Sequence, residues 1–397
     1  MNRIFEGRLA GYAQRRRGET IGFYPHQTRP GVAMSETKGT PGIKEIARVL
    51  GVSIGTVDRA LHGRTGVSEK TKNRVLQVAE RIGYKPNLAA QALKLNRKLS
   101  IAAILPKHIS HFFDPVRAGI RAAAAETVGM QISLDFHEYP RLGVGDVEAV
   151  EAAIERHYDG IIFLPGDTRK FDGVIRRLSR SGTAMMCVGS DAPNTDRMGF
   201  VAAHAYVSGA IAAELLTMNL RQKANVAVFT GELFTLDHAE KLRGFAATLA
   251  VQAPHLSLLP ALESHEQPKQ AYQQALALMK SKDRPQGIYL STANSIPVLN
   301  ALDELDLLGK IQIVTTDLFQ ELVPLIEFGK VLATMYQRPH TQGKVAFESL
   351  IQYLLGDDKT QPAVRLAPHV VFRSNLSLFA GQIADTDEEL ETELRRR

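Results

Sequence analysis

The 397-residue sequence predicts an α/β protein in two unequal parts: an all-α helix-turn-helix head with a hinge helix, then a two-lobed, doubly wound parallel-sheet domain. Three observations carry that expectation. Between Gly42 and Pro86, apolar residues recur at helical spacing in three short segments. From Leu99 onward, short apolar runs alternate with amphipathic stretches. Charge divides along the same line: residues 1–98 hold 19 Lys+Arg against 7 Asp+Glu, a balance of +12, while the rest of the chain is −6. A basic head on an acidic body points to a nucleic-acid partner for the head.

Residues 1–41 show no sustained apolar periodicity and contain Pro30, Gly31, Gly39, Pro41 and the Arg15–Arg17 cluster, so a disordered arm is expected there. Met34 is an alternative start. No apolar run follows the arginines, which argues against a secretory or twin-arginine signal and for a cytoplasmic protein. Apolar runs reach only about half of the ~20 residues that a membrane helix needs, so no membrane partner is expected. The single cysteine, Cys187, excludes an internal disulfide framework and reads as buried strand filler.

The first helix carries Ile43, Ile46, Ala47 and Leu50 and stops at Gly51. Ser53 caps the second, which turns Val57, Ala60 and Leu61 inward and ends at Gly63. Ser68 caps the third, running through Val75, Val78, Ala79 and Ile82 to Gly83. Two short helices joined by a tight Gly-Val-Ser turn, with a third closing the core, make the helix-turn-helix pattern over 42–86. The same scaffold also serves protein–protein modules; the +12 charge favours DNA. NLAAQALKLNRK follows Pro86. It is too short to be a stable helix alone, so residues 87–98 are expected to order only against a partner.

In the body, strands are expected at 101–105, 132–136, 160–164, 184–188, 225–229, 287–291, 312–316 and 332–336. Helices are expected between them, among others at 115–125, 207–220 and 239–250. Continuous apolar strands alternating with helices argue for parallel sheets covered on both faces. About 275 residues of this pattern exceed one core, hence two lobes over 99–380, followed by a charged tail at 381–397.

IKEIARVLGVSIGTVDRALHGRTGVSEKTKNRVLQVAERIGYKPNLAAQAL (Ile43 to Leu93) resembles the DNA-binding head of the lactose-repressor (LacI/GalR) family. HFFDPVRAGI, DGIIFLP, TGELFTLDHAEKLRGF, IVTTDLFQELVPLIEFGKV and ATMYQRPHTQGKVA resemble that family's effector domain, itself similar to periplasmic sugar-binding proteins of the ribose type. The resemblance implies a homodimer on double-stranded operator DNA, with the second helix in the major groove. A tetramer is left open. Ile54, Gly55 and Arg59 match base-reading positions, Thr56 a phosphate contact, and Leu93 the leucine that wedges between base pairs. The chemistry agrees: Arg59 suits guanine O6 and N7, Ile54 a thymine methyl, and a leucine wedge bends DNA at a cost recovered in contacts. Asp58 replaces the family's usual serine, and either turns to Arg59, Lys44 or Arg48 or accepts from cytosine N4.

For the effector, the resemblance implies a sugar, polyol or sugar derivative held by Phe112, Phe113, Asp191, Lys241, Asn294, Asp317 and Gln337. Planar amides and carboxylates suit sugar hydroxyls. Asp317 has a plainer reading as a helix cap, and the phenylalanines as core. Gly189 and His204 stand where the family has aspartates, and Lys241 where it has arginine: a neutral sugar or polyol is the first expectation, while the more cationic pocket these changes imply leaves an acidic sugar or sugar phosphate open. No phosphate-binding glycine loop, dinucleotide fingerprint or cysteine motif is present, so neither an enzyme nor a cofactor is expected. His108-x-x-His111 is not spaced like common zinc motifs, and no metal is expected. The function read from all this is a sequence-specific transcriptional regulator, a repressor by preference; the alternative is the sugar-binding protein of a transport system.

Overall fold

The computed structural model describes residues 42–61, 65–82, 84, 98–127, 129–356, 362–379 and 381. The N-terminal arm, the segment carrying Leu93 and the charged tail beyond 381 lie outside the described residues.

The head is α1 (Ile43–Leu50), α2 (Ile54–Leu61) and α3 (Glu69–Arg81). Ile46, Ala47, Val57, Ala60, Val75, Val78 and Ala79 form its core, the set that helical spacing selects. Gly51 ends α1 at φ 64°, a left-handed position that glycine adopts without strain. Ser53 and Ser68 act as caps: each side-chain oxygen accepts a main-chain N–H three residues on, at 3.0 Å from Thr56 and 3.2 Å from Thr71.

The first lobe contains β1 (Lys98–Pro106), α4 (Ser110–Ala125), β2 (Gln131–Tyr139), α5 (Asp146–Ile154), β3 (Gly160–Phe163), α6 (Thr168–Arg180), β4 (Ala184–Val188) and β5 (Gly199–Ala203). The chain then crosses into a second lobe of α7 (Ala205–Asn219), β6 (Ala224–Thr230), α8 (Leu236–Gln252), β7 (Leu256–Leu258), β8 (Leu262–Glu263), α9 (Pro268–Lys280), β9 (Gly287–Leu290), α10 (Ile296–Glu304), β10 (Gln312–Thr316), α11 (Val323–Glu327) and β11 (Ala333–Tyr336). It returns as α12 (Pro339–Leu355) and β12 (Ala363–Leu366), and crosses a third time into β13 (His369–Val371). The sheets run β12-β5-β4-β3-β1-β2 and β13-β11-β10-β9-β6-β7, with β8 beside β6. Every pairing is parallel except β11 with β13.

Alternation along the strands fills both faces of each sheet. Ile101, Ala103 and Leu105 join one core while Ala102 and Ile104 join another. In the second lobe Phe229, Ile288 and Ile313 face one way, and Val228, Tyr289 and Val314 the other. Glycines set the two tightest helix contacts. A Cβ on Gly119 would lie 2.0 Å from the His340 carbonyl oxygen and one on Gly343 2.1 Å from that of Val116, binding α4 to α12. Gly209 and Gly244 do the same for α7 and α8, at 1.9 Å from the Lys241 oxygen and 2.0 Å from the Tyr206 oxygen.

Helix α4 begins five residues before the expected Pro115. Proline is favoured in a first turn, but here it sits inside the helix and removes only the N–H that would bond the His111 carbonyl. The extra turn carries His111, Phe112 and Phe113.

Candidate functional site

Two regions collect the sequence-selected residues. On the head, α2 buries Val57 and Ala60 and leaves Ile54, Gly55 and Arg59 exposed. Ile54 is 51% exposed, unusual for a large aliphatic residue. A Cβ at Gly55 would meet only the Ser53 Oγ, at 3.9 Å, so packing does not demand glycine there. Thr56 is half-buried, and its Oγ1 lies 2.9 Å from the Ser53 Oγ. Asp58 is half-buried, and its charge helps to hold the Tyr84 hydroxyl above its ordinary range, after burial as the main cause. Arg48, one of the basic neighbours considered for Asp58, is instead bound to Glu45.

In the body the lobes meet over a cavity of about 40 Å³ at the carboxyl ends of the strands. That is room for about one water, against the roughly 300–1,000 Å³ of ordinary ligand pockets. The lobes are therefore closed on each other. His108 Nε2 donates to the Glu266 carbonyl and His111 Nε2 to the Ala293 carbonyl, each at 2.7 Å. Arg141 reaches Glu232 at 3.0 Å, and the Asp237 N–H donates to Ser190 Oγ at 3.3 Å. The two histidines thus bridge the lobes with their outer nitrogens.

Asp317 is at the cavity and 1% exposed, on a left-handed backbone of φ 67°. Its carboxylate accepts from Gln337 Nε2 at 2.8 Å and from the Gln337 N–H at 3.3 Å. Burial pushes this carboxyl up to about 6, against the opposing pull of Lys241 and of the Gln337 bonds. It does not cap the following 3-10 turn, which begins with no side-chain cap. Lys241 lies beside it with Nζ 2.6 Å from Asp237 Oδ2, while Asp237 Oδ1 is buried without a partner. Phe112 and Phe113 line the same cavity, edge-on to one another at 5.0 Å. Asn294 adjoins it through Ala293; its Nδ2 is buried with no hydrogen-bond partner. The structure thus gathers Phe112, Phe113, Lys241, Asp317 and Gln337, with Asn294 at the edge.

Asp191 stands apart. Arg197 binds both its oxygens, and it lines a neighbouring crevice of about 230 Å³ with His204, Tyr206 and Arg365 beside the lobe crossings. Gly189 explains the missing aspartate: its φ is 77°, and any Cβ would sit 2.6 Å from Leu164 Cδ1.

The cavity is acidic, not cationic as the sequence led us to expect. Lys241 is tied to Asp237, and His204 lies in the other crevice. His238, which the sequence gave no reason to single out, is driven by burial down to about 4 and is neutral. Glu266 adds another buried carboxylate, pushed by burial up to about 7. No motif announces these two; the first turn of α8 and the loop after β8 bring them together. Among the described residues Glu232, Glu263 and His265 approach metal-ligand spacing. Arg141 of the first lobe already holds Glu232, and the Leu233 N–H donates to Glu263.

Residues 101–358 match the periplasmic binding protein domain, and residues 42–87 match bacterial regulatory proteins of the lacI family. The HTH-type transcriptional repressor PurR of Aliivibrio fischeri (strain MJ11) is 24% identical over 349 residues, covering 84% of this chain and 98% of that one. An ABC transporter solute binding protein from Burkholderia graminis C4D1M, solved with D-arabinose, shares the fold at a TM-score of 0.65 and 22% identity, over 70% of this chain and 97% of that one. Another from Bacillus halodurans C-125, with bound myo-inositol, gives 0.65 at 15% identity, over 72% and 98%.

Proposed function

The chain belongs to the bacterial regulatory proteins of the lacI family that carry a periplasmic binding protein domain and is a DNA-binding transcriptional regulator; we propose that a neutral sugar or polyol in the inter-lobe cleft controls its affinity for an operator. The observation that carries this reading is the convergence of Asp317, Gln337, Asp237 and Glu266 on one closed cavity, with Asn294 beside it and Lys241 already paired. Carboxylates accept hydroxyl protons, and amides both donate and accept in a fixed plane. An anionic ligand would face carboxylates in a buried setting, where like charges repel strongly. The buried, unpartnered Asn294 Nδ2 and Asp237 Oδ1 supply one donor and one acceptor more.

On the head, Ile54 and Arg59 read bases, Gly55 lets the α2 N-terminus approach the groove, and Thr56 contacts phosphate. Leu93, outside the described residues, wedges into the minor groove. The active species is a homodimer acting as a repressor in the cytoplasm. The paired family matches favour this reading over a transport binding protein, which has no use for a lacI-type head.

Thermal denaturation of the full chain with D-arabinose, D-ribose, D-glucose, myo-inositol or D-ribose 5-phosphate tests the cleft. A ligand at 100 times its Kd adds about 2.7 kcal/mol, which is several degrees in Tm. At least one neutral compound is expected to give such a shift, and Asp317→Asn to remove it. A larger shift with the phosphate, or a full shift retained in Asp317→Asn, would overturn the reading.

A further inference from the structure

We propose that Glu266 is a second anchor for the effector: its side chain accepts a hydroxyl donor from the ligand while its main-chain carbonyl holds His108 of the opposite lobe, so that recognition and closure pass through one residue. The proposal rests on the cleft being the effector site. Glu266 lines the cavity and is 1% exposed. His265 and Glu266 both have φ of 52°, two successive non-glycine residues in the left-handed region. Such strain costs about 1–3 kcal/mol per residue and gathers at ligand clamps. Room for the carboxylate comes from Gly231, where a Cβ would lie 1.9 Å from Glu266 Oε1.

Among the described residues no cation bonds the carboxylate. Thr292 Oγ1 lies 2.8 and 2.9 Å from its two oxygens but has one proton to give. His238 Nε2 is 3.5 Å away, and this imidazole is neutral because its pKa is lowered to about 4. Its Nδ1 lies 2.9 Å from the Glu232 main-chain nitrogen and 3.1 Å from the Glu232 carbonyl oxygen, so the ring is held by the Glu232 main chain. Lys241 acts only through its field and is bonded to Asp237, while Glu232 and Asp237 oppose ionisation. Acceptor capacity therefore remains for a ligand hydroxyl. On the other side of the same residue, the carbonyl takes the 2.7 Å bond from His108.

The pH behaviour follows. Burial raises this carboxyl to about 7 from an ordinary 4.5, so the closed protein holds a proton that the unfolded chain does not. The resulting stabilisation is complete below about 4.5 and is lost as pH rises through about 7. His238 has the opposite sign, its contribution being lost as pH falls from 6.5 towards 4, and Asp317 titrates near 6. Above pH 6.5 the end of the Asp317 titration acts in the same direction as Glu266, and the comparison with Glu266→Gln isolates the part that belongs to Glu266. A ligand hydroxyl bonding the ionised form expels the proton, so affinity should rise with pH over the interval in which stability falls.

The test compares wild type with Glu266→Gln, using whichever neutral compound of the panel gives the largest shift. In wild type, ligand-free Tm is expected to fall between pH 6.5 and 8. Its Kd should tighten about tenfold from pH 6 to 8, and calorimetry in buffers of different ionisation heat should find release of about half a proton at pH 7. Glu266→Gln should bind at least several-fold more weakly at pH 8, flatten both profiles and release almost no proton at pH 7. Equal Kd and equal proton release in the two proteins would overturn the role of Glu266 and leave the cleft standing. If no neutral compound shifts Tm, the cleft reading fails and this one with it.

Discussion

Arg59 is the residue on which base discrimination should concentrate. Gly55 has no side chain, Thr56 is engaged with Ser53, and Asp58 is half-buried with its charge felt at Tyr84, which leaves Ile54 and Arg59 as the exposed readers of α2. A bidentate arginine–guanine pair contributes about 1–3 kcal/mol of discrimination. Arg59→Ala should therefore lower the preference for the selected operator over random DNA by roughly 5–150-fold, read by competitive binding to a randomised site library. An unchanged preference would take Arg59 out of base readout. At this scale the family resemblance picked out Asp317, Gln337 and Lys241, and the structure places the three at one cavity. The sequence was not legible for Glu266, His238 and Asp237. The ESHEQP loop and the first turn of α8 carry no periodic signal, and their meeting depends on contacts between segments some 30 residues apart. Charge misled for the same reason: counting Lys241 and His204 as cations could not reveal that the first is bonded to Asp237 and the second lies in another crevice.

Elements followed periodicity in the central apolar strands, with the fully buried β5 the exception. The expected strands 184–188 and 312–316 coincide with β4 and β10, and β5, β7, β8, β12 and β13 went unseen. Those are short, and all but β5 and β8 lie at sheet ends, where burial does not enforce a continuous apolar run. Nor does any local pattern mark the close helix contacts, because a glycine inside a helix looks like a defect in propensity alone. Their importance can be measured. A Cβ at position 209 would lie 1.9 Å from the carbonyl oxygen of Lys241, so α7 and α8 must separate to accept it. Overpacking of this kind typically costs about 1–3 kcal/mol. Gly209→Ala should lower Tm by several degrees and also weaken effector binding, because the displaced backbone is that of the residue whose ammonium orders Asp237. Full stability in this variant would mean that α7 shifts without resistance.

For the whole molecule, three crossings between lobes and a set of bonds across the cleft make closure a two-state matter. His108, His111 and Arg141 each reach from the first lobe to an acceptor on the second, and Gly143 abuts Phe234, whose ring would be 2.6 Å from any Cβ there. A cavity of about 40 Å³ does not admit a sugar, so the ligand must enter an opened form and be enclosed afterwards. If closure is also what changes the disposition of the two heads in a dimer, effector and operator act on one equilibrium. Thermodynamic linkage then requires that the factor by which effector changes operator affinity equal the factor by which operator changes effector affinity. Both can be measured by fluorescence anisotropy and calorimetry on the same preparation. Arg141→Ala removes the cation from Glu232, which is 3% exposed, and so favours opening. It should weaken effector binding and alter both coupling factors equally, leaving effector-free operator binding within about twofold of wild type if that state is already open. A change in one factor without the other would mean that the cleft and the heads do not share a single conformational equilibrium. A large change in effector-free operator binding would instead mean that the closed lobes are themselves the DNA-binding form.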